Sequence, residues 1–538
     1  MGWGFLRSRF FGLLCPLGLL AVGSLTAHWC PPFVSIGLVF VAGAVLFFSL
    51  SNRLCTDPRL MWIVGGSYLL RSAIAIFLFA VSASQLPIFP SLQLGDGFWQ
   101  LAPDARGYHE RALSFLDEGL QSGWIHGLTA HDLFGGLVGW VYWWFTPHPL
   151  VAILFNVWAA TGTTLLAFGI GRHIGGSTGM GLASAVFVGF WPSTLIWSAQ
   201  LLKDPLFLFL LFVVFSLVLH LLSSGKLMPL SVVLVWGTIF MTAFLLTKFR
   251  PYSGWVLLGS CGVAGLLTFL FLPMRQRVVS VGCFTFVGLG VLMGVTRSSW
   301  LPLPSVLLAK ALDASSRVSD QVGSPPPSSS AGESQKTPSG SQAPVPVEPP
   351  RTSSPTAKGH QAPPGEASTF ILPLLPQLPT VSLSALQRER NRYVVSGGNL
   401  LNPEADISTP EGLLRQLPAA LGAAIFAPYP WRWSSIGDTG VFRGFAAVEV
   451  ILLILLLPGL LVGSVAVARR RSLIGWLMLV YGVLIWFLVA LVVANEGSMF
   501  RIRLQGVLPV VVVAIGGGGL RIYARFLERL GVITFKPR

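Results

Sequence analysis

Leu133-Phe134-Gly135-Gly136-Leu137-Val138-Gly139-Trp140-Val141-Tyr142-Trp143-Trp144-Phe145-Thr146 decides the fold of this chain. The run is apolar but short of the roughly 20 residues that a spanning helix needs. Its Trp and Tyr rings are the kind that settle at the membrane–water boundary. Read as a helix lying in the interface, it leaves every later segment on its side of the membrane. Read as a span, it turns everything downstream over. The charges elsewhere decide between the two.

The surroundings are those of a membrane protein. Of 538 residues, 53% are hydrophobic and 11% charged, with 18 Trp and 37 Phe. Ordinary globular domains carry about 25% charged residues. Apolar runs long enough to span lie at 10–29, 32–50, 60–83, 149–171, 178–198, 205–222, 229–247, 251–273, 277–296, 444–467, 472–494 and 504–520. The expected fold class is an all-α polytopic membrane protein of about twelve transmembrane helices. The Arg7-Ser8-Arg9 start followed by an apolar run resembles a signal peptide. With further spans close behind and no evident cleavage site, it reads as an uncleaved first helix.

With the N-terminus inside, the cytoplasmic segments collect Arg7, Arg9, Arg53, Arg59, Arg172, Lys226, Arg275, Arg277, the triplet Arg469-Arg470-Arg471 and the basic tail from Arg521. Asp57 and Glu528 are the acids that accompany them. Bases gather in cytoplasmic loops, so both termini are expected inside and 133–146 in the interface. The organisation that follows is N-terminal helices over 1–83, a first large outer loop over 84–148, a transmembrane core over 149–296, a second outer segment over 297–443 and C-terminal helices with a basic tail over 444–538. Within the second outer segment, the Pro/Ser-rich stretch 315–368 buries too little apolar surface to offset its ordering entropy and is expected to be disordered. Residues 370–443 form a small ordered segment, with an amphipathic helix over Leu383 to Val394, a helix start at Thr409-Pro410-Glu411 and an aromatic turn from Ala427 to Trp433.

The net charge of +15 is accounted for by orientation and points to no nucleic-acid partner, because no basic patch lies on a soluble module. Cys15, Cys30, Cys55, Cys261 and Cys283 form no CxxC pair and read as small core hydrophobes. His109, His126, His131 and His148 have no ligand spacing.

The first outer loop holds Pro103-Asp104-Ala105-Arg106-Gly107-Tyr108 together with Asp96, Glu110, Asp117, Glu118 and Asp132. The same topology brings Lys203-Asp204, Lys248, Arg250, Glu496, Arg501 and Arg503 to that face, where bases are unusual. Arg holds phosphate through a planar fork and Lys as a point charge. A carboxylate can take a proton from a hydroxyl or hold a divalent cation. Together they suit transfer from a lipid-phosphate sugar: deprotonate the acceptor and stabilise the departing phosphate.

At these residues the chain resembles the GT-C superfamily of membrane glycosyltransferases, in its family-39-like and ArnT-like branch. The likeness is carried in order by Pro103-Asp104 with Tyr108, Asn156, Phe190-Trp191-Pro192-Ser193, Leu201-Leu202-Lys203-Asp204-Pro205, Arg250-Pro251-Tyr252, Pro428-Tyr429-Pro430-Trp431, Asn495-Glu496-Gly497, Arg501-Ile502-Arg503 and Pro509. It covers roughly 90–300 and 380–515. The resemblance implies a bacterial inner-membrane enzyme with a polyprenyl-phosphate sugar as donor and a lipid, glycan or protein as acceptor. Asp104 and Asp204 would be catalytic. Lys203, Arg250, Arg501 and Arg503 would bind the donor phosphate, and Tyr108, Arg106 and Glu496 would support them. No residue is assigned to a metal. The first-loop acid lacks a DxD or DE partner, so a divalent cation (Mg or Mn) is compatible but not called for.

Plainer readings exist for the same residues. Asp104 suits a helix cap before Ala105; Lys203-Asp204 suits a neighbouring ion pair; Arg250, Arg501 and Arg503 suit snorkelling to headgroups. Asp96 between two glycines suits a turn. Arg71 and Glu449, costly within spans, call for partners. The architecture also suits a lipid-linked glycan polymerase or ligase, a polysaccharide or lipid transporter, or a non-enzymatic assembly subunit.

Overall fold

The computed structural model describes residues 31–122, 133–223, 229–271, 274–295, 383–395, 400–433, 440–470, 472–521 and 528. The first apolar run, the stretch 315–368, His126, His131 and the tail beyond Arg521 (Glu528 apart) lie outside the described residues. Seventeen α-helices and one small hairpin are found among those described.

In chain order these are α1 (Pro32–Leu54), α2 (Pro58–Ala83), β1 (Gln93–Gly95), β2 (Phe98–Trp99), α3 (Asp104–Ser122), α4 (Leu133–Trp144), α5 (Pro149–Gly175), α6 (Thr178–Gly189), α7 (Pro192–Ser198), α8 (Asp204–Ser223) and α9 (Pro229–Phe249). They continue with α10 (Pro251–Phe271), α11 (Met274–Val295), α12 (Leu383–Val395), α13 (Pro410–Phe426), α14 (Gly440–Arg470), α15 (Leu473–Val492), α16 (Glu496–Ile502) and α17 (Leu504–Gly516). Proline opens many of them, where its missing N–H would have no partner anyway. Thr409 and Ser472 cap α13 and α15 through their side chains, and Gly176 ends α5 in the left-handed region at φ 68°.

Seven of the described helices are long and apolar enough to cross a membrane, or up to nine if each of two bent pairs counts as one span. Backbone groups within hydrocarbon must be satisfied internally, and helices do that. The chain is an all-α, multi-pass membrane protein by helix length and composition. α10 and α11, expected as spans, are helices of 21 and 22 residues.

Two expected spans are bent. The run 178–198 is α6 and α7, meeting at 54° where Trp191 precedes Pro192; a residue before proline is steered out of the helical region. Glu496–Ile502 meets Leu504–Gly516 at 44°. The aromatic run is α4, a helix of 12 residues. At 1.5 Å per residue it reaches about 18 Å, well under the ~30 Å hydrocarbon core.

The interior is built around α5 and α17, and every residue of α17 is buried. α14 crosses the end of α17 through Gly459 and Gly463. A Cβ on Gly517 or Gly519 would collide with the Cα of Gly463 or Gly459, so these small residues let the backbones touch. Apolar side chains such as Trp62, Leu230, Leu266 and Leu461 are exposed, as lipid-facing positions should be.

The hairpin and α3 fill the segment that the sequence reads as a loop. Gly95, Asp96 and Gly97 all have positive φ, so Asp96 is indeed a turn residue. A side chain at Gly97 would also strike the Phe79 ring. Along α3, Ala105, Tyr108, Ala112 and Phe115 are buried. That 3-4-3 spacing is one helix face, and it packs on α4. Tyr108 meets Phe134 edge-on at 4.8 Å.

Candidate active site

The buried stripe of α3 fixes Asp104 at the first turn of that helix, where negative charge is favoured. Its Oδ2 accepts a hydrogen bond of 2.8 Å from Nη2 of Arg501, on α16. The Nε of Arg501 lies 3.5 Å from Oδ2 of Asp204, at the start of α8. Asp204 Oδ1 in turn accepts from Nη2 of Arg250, between α9 and α10. Arg250 Nη1 donates to the Tyr252 hydroxyl at 2.9 Å. The result is a chain of four charges, Asp104–Arg501–Asp204–Arg250. Lys203 is near enough for its charge to act on Asp204. Two carboxylates thus face three cations.

The chain runs from outside to inside. Asp104 has 46% of its side chain exposed, Arg501 15%, Arg250 6% and Asp204 4%. Breaking the inner pair would leave a charge without a partner in a poorly solvated place; breaking the outer one would not.

Buried polar groups hold these parts in position. The Asn156 amide, in the first third of α5, donates to the carbonyls of Gln200 (2.9 Å) and Leu202 (2.7 Å). It thereby fixes the irregular segment that presents Lys203 and Asp204. Arg390 of α12 donates to the carbonyls of Leu491 (2.6 Å), Leu401 (2.9 Å) and Asn402 (2.6 Å). The Leu401 N–H reaches the Ala494 carbonyl at 2.7 Å, and Asn495 caps α16 through the Ser498 N–H. The segment after the second large loop is in this way tied to the turn that carries Arg501. Asn156 drew notice in the sequence only through resemblance, and Arg390 only as part of an amphipathic helix. A polar residue within an apolar span was the available signal for the first.

A cavity of about 810 Å³ lies beside the cluster. Its walls come from α1, α4, α5, α8 and α9 and are almost wholly apolar, with Trp140, Trp144, Phe155, Trp158 and Phe209 among them. Asn156, Leu206 and Phe249 also line it; the last two sit two residues after Asp204 and one before Arg250. A much smaller void of about 20 Å³ has Arg71 and Asp204 on its wall.

Other expected site residues lie elsewhere. Arg503 is fully buried, with Nη2 at 3.3 Å from Oε1 of an equally buried Glu449. Its Nη1 donates to the Ala427 carbonyl, and Ser193 donates to the second oxygen of Glu449. Glu496 is buried, and its charge acts on Arg503. Arg106 pairs with Glu110 at 3.0 Å on the exposed side of α3. Tyr108 packs between α3 and α4, with the Arg111 guanidinium 4.9 Å from its ring. Arg71 and Glu449 do not pair with each other: Arg71 donates to Ser67, to Thr194 (3.0 Å) and to the Val188 carbonyl (3.3 Å). Among the described residues no group of three or more His, Cys, Asp or Glu side chains could hold a metal ion. No protein-family model matches the chain, and no curated protein matches it in sequence.

Proposed function

We propose that the chain is a membrane glycosyltransferase of the GT-C type, moving a sugar from a polyprenyl-phosphate donor to an acceptor at the outer face of a bacterial inner membrane. About twelve spans with both termini cytoplasmic belong to this reading. The observation that carries it is the meeting of Asp104, Asp204, Arg250 and Arg501, from four distant parts of the chain, beside a large apolar cavity. A polyprenyl chain needs an apolar channel and its phosphate needs cations at the channel's end. A cavity of this size is in the usual range for small-molecule sites.

In this reading the donor's isoprenoid tail occupies the cavity and its phosphate meets Arg501 and Lys203. Asp104, the most exposed acid of the cluster, accepts the proton of the acceptor hydroxyl. The acceptor oxygen bonds to the anomeric carbon, and the bond from that carbon to the phosphate oxygen breaks. The phosphate leaves with the electron pair, stabilised by the guanidinium. Asp204 keeps Arg250 and Arg501 in register between them.

The test is transfer by purified protein in lipid vesicles supplied with a polyprenyl-phosphate sugar and candidate acceptors. Native protein is expected to release free polyprenyl phosphate. Asp104→Asn is expected to lose that activity while melting like the native protein. Full turnover by a well-folded Asp104→Asn protein would remove the assignment of Asp104, and movement of the lipid without release of its sugar would favour a transporter.

A further inference from the structure

We infer that Asp104 and the incoming phosphate compete for Arg501, so that binding of the donor itself frees the carboxylate. This rests on the lipid-phosphate reading of the site. Arg501 is the hinge of the charge chain: Nη2 serves Asp104 at 2.8 Å, and Nε lies 3.5 Å from Asp204. Arg250 cannot take the same part, because it is enclosed by Asp204 and the Tyr252 hydroxyl and only 6% of its side chain is exposed.

One difference decides which contact yields to an anion. Asp204 sits at 4% exposure and Asp104 at 46%, so Asp104 alone regains water when it lets go. A phosphate arriving from solvent or from the cavity's rim therefore displaces the outer carboxylate and leaves the inner pair closed. The Nη2 donor that holds Asp104 is one that a phosphate would take. An Asp104 oxygen engaged with Arg501 is not aimed at an acceptor hydroxyl; once released it is, still anchored by Ala105 and Tyr108 under α3. After transfer, the lipid phosphate monoester departs, Asp104 returns its proton to water, and the carboxylate closes again on Arg501. The order of events follows: donor first, then a competent base, so that the free carboxylate exists only while a phosphate holds Arg501.

The competition is read by binding a short-chain polyprenyl phosphate, without sugar, to purified full-length protein in nanodiscs. Asp104→Asn is expected to tighten binding about two- to five-fold, the range set by losing one partly exposed pair. Arg501→Gln is expected to weaken it, and Asp104→Asn placed on top of Arg501→Gln to change nothing further. Glu110→Gln removes the same charge from the exposed side of the same helix, where it pairs with Arg106, and is expected to leave binding unchanged. Equal or weaker binding by Asp104→Asn overturns the competition. So does tightening that survives in the Arg501→Gln background, or an equal gain from Glu110→Gln, either of which would be general charge removal. Sugar transfer with no tightening in Asp104→Asn sinks the competition alone. Tightening without any sugar transfer sinks the transferase and leaves the competition standing, and a native protein that binds no polyprenyl phosphate sinks both.

Discussion

Arg501 and Arg503 stand two residues apart and do opposite things. Arg501 joins a half-exposed Asp104 to a buried Asp204 beside an 810 Å³ cavity. Arg503 is sealed, with no exposure on either side of its pair with Glu449. Two steps along a helical turn rotate a side chain by about 200°, so one arginine faces the site and the other the packed interior. Both were assigned to the donor phosphate from sequence; the proposal keeps that role for the first, and the second joins helices through its buried pair. Arg503 binds together α17, α14 and the end of α13, with Ser193 of the α6–α7 break on the far side of Glu449. What separates the two arginines is the exposure of the carboxylate each one holds, 46% for Asp104 and none for Glu449.

The contrast breaks most visibly in stability. Glu449→Ala and Arg503→Met are each expected to cost about 3–5 kcal/mol, because each leaves a buried charge alone. Against the usual margin of about 5–15 kcal/mol, that should show as a large fall in melting temperature and in yield. The double replacement Glu449→Leu with Arg503→Met is expected to recover much of the loss. Single variants that melt like the native protein would mean that Arg503 is not structural.

Arg501→Gln should behave in reverse. Melting is expected to move less than in the Arg503 variants, since Asp104 is partly exposed and the buried Asp204 keeps Arg250, whereas sugar transfer should fall by about 10²–10³, the usual effect of removing one preorganised donor to a developing anion. Measuring turnover and melting on the same two single-arginine variants sharpens the comparison. If Arg501→Gln unfolds the protein, or if Arg503→Met alone stops turnover in a folded one, the two roles are exchanged.

Much of the scaffold was legible. Apolar runs, prolines at helix starts and the Thr409 cap mark the helices to within a few residues, because length and composition set a span. The hydrophobic stripe Ala105, Tyr108, Ala112 and Phe115 was also present, yet the polar residues between them made α3 read as loop. The break at Trp191-Pro192 was visible as a proline and passed over within an apolar run. The pairings were not legible. Asp104 and Arg501 are 397 positions apart, and nothing local says that Arg501 rather than Arg503 turns toward α3. Arg71 and Glu449 were rightly marked as needing partners, but which partners is a matter of helix packing.

A smaller effect should come from Asn156, which serves the site without lining its charges. Asn156→Leu keeps the volume and removes both hydrogen bonds to the Gln200 and Leu202 carbonyls. Leaving two buried acceptors unsatisfied is expected to cost about 1–3 kcal/mol. Because the freed segment carries Lys203 and Asp204, the KM for the lipid donor should rise by more than kcat falls. An unchanged KM would mean that the segment is held by its flanking helices and that Asn156 is only a core residue.

The smallest effect expected is a pH dependence on the Arg501 side of the comparison. His109 of α3 shares a 2.8 Å hydrogen bond with the Tyr142 hydroxyl of α4, and its ring lies 5.5 Å from that of Phe98. Burial holds its pKa below the usual 6.5, despite the opposing charges of Glu110 and Asp96. His148, packed on Phe79, is lowered in the same direction, with the charge of His109 adding to burial. A base whose folded pKa is depressed binds more protons when unfolded. Its contribution is therefore complete above about 6.5 and is lost as the pH falls through the lower folded value. Acidification should loosen α3 from α4 and so withdraw Asp104 from Arg501. His109→Gln, which can still hydrogen-bond to Tyr142 but cannot titrate there, should flatten the decline of both melting temperature and turnover between pH 7.5 and 5. An unaltered slope would place the acid sensitivity in another part of the molecule and leave α3 as a rigid mount for Asp104.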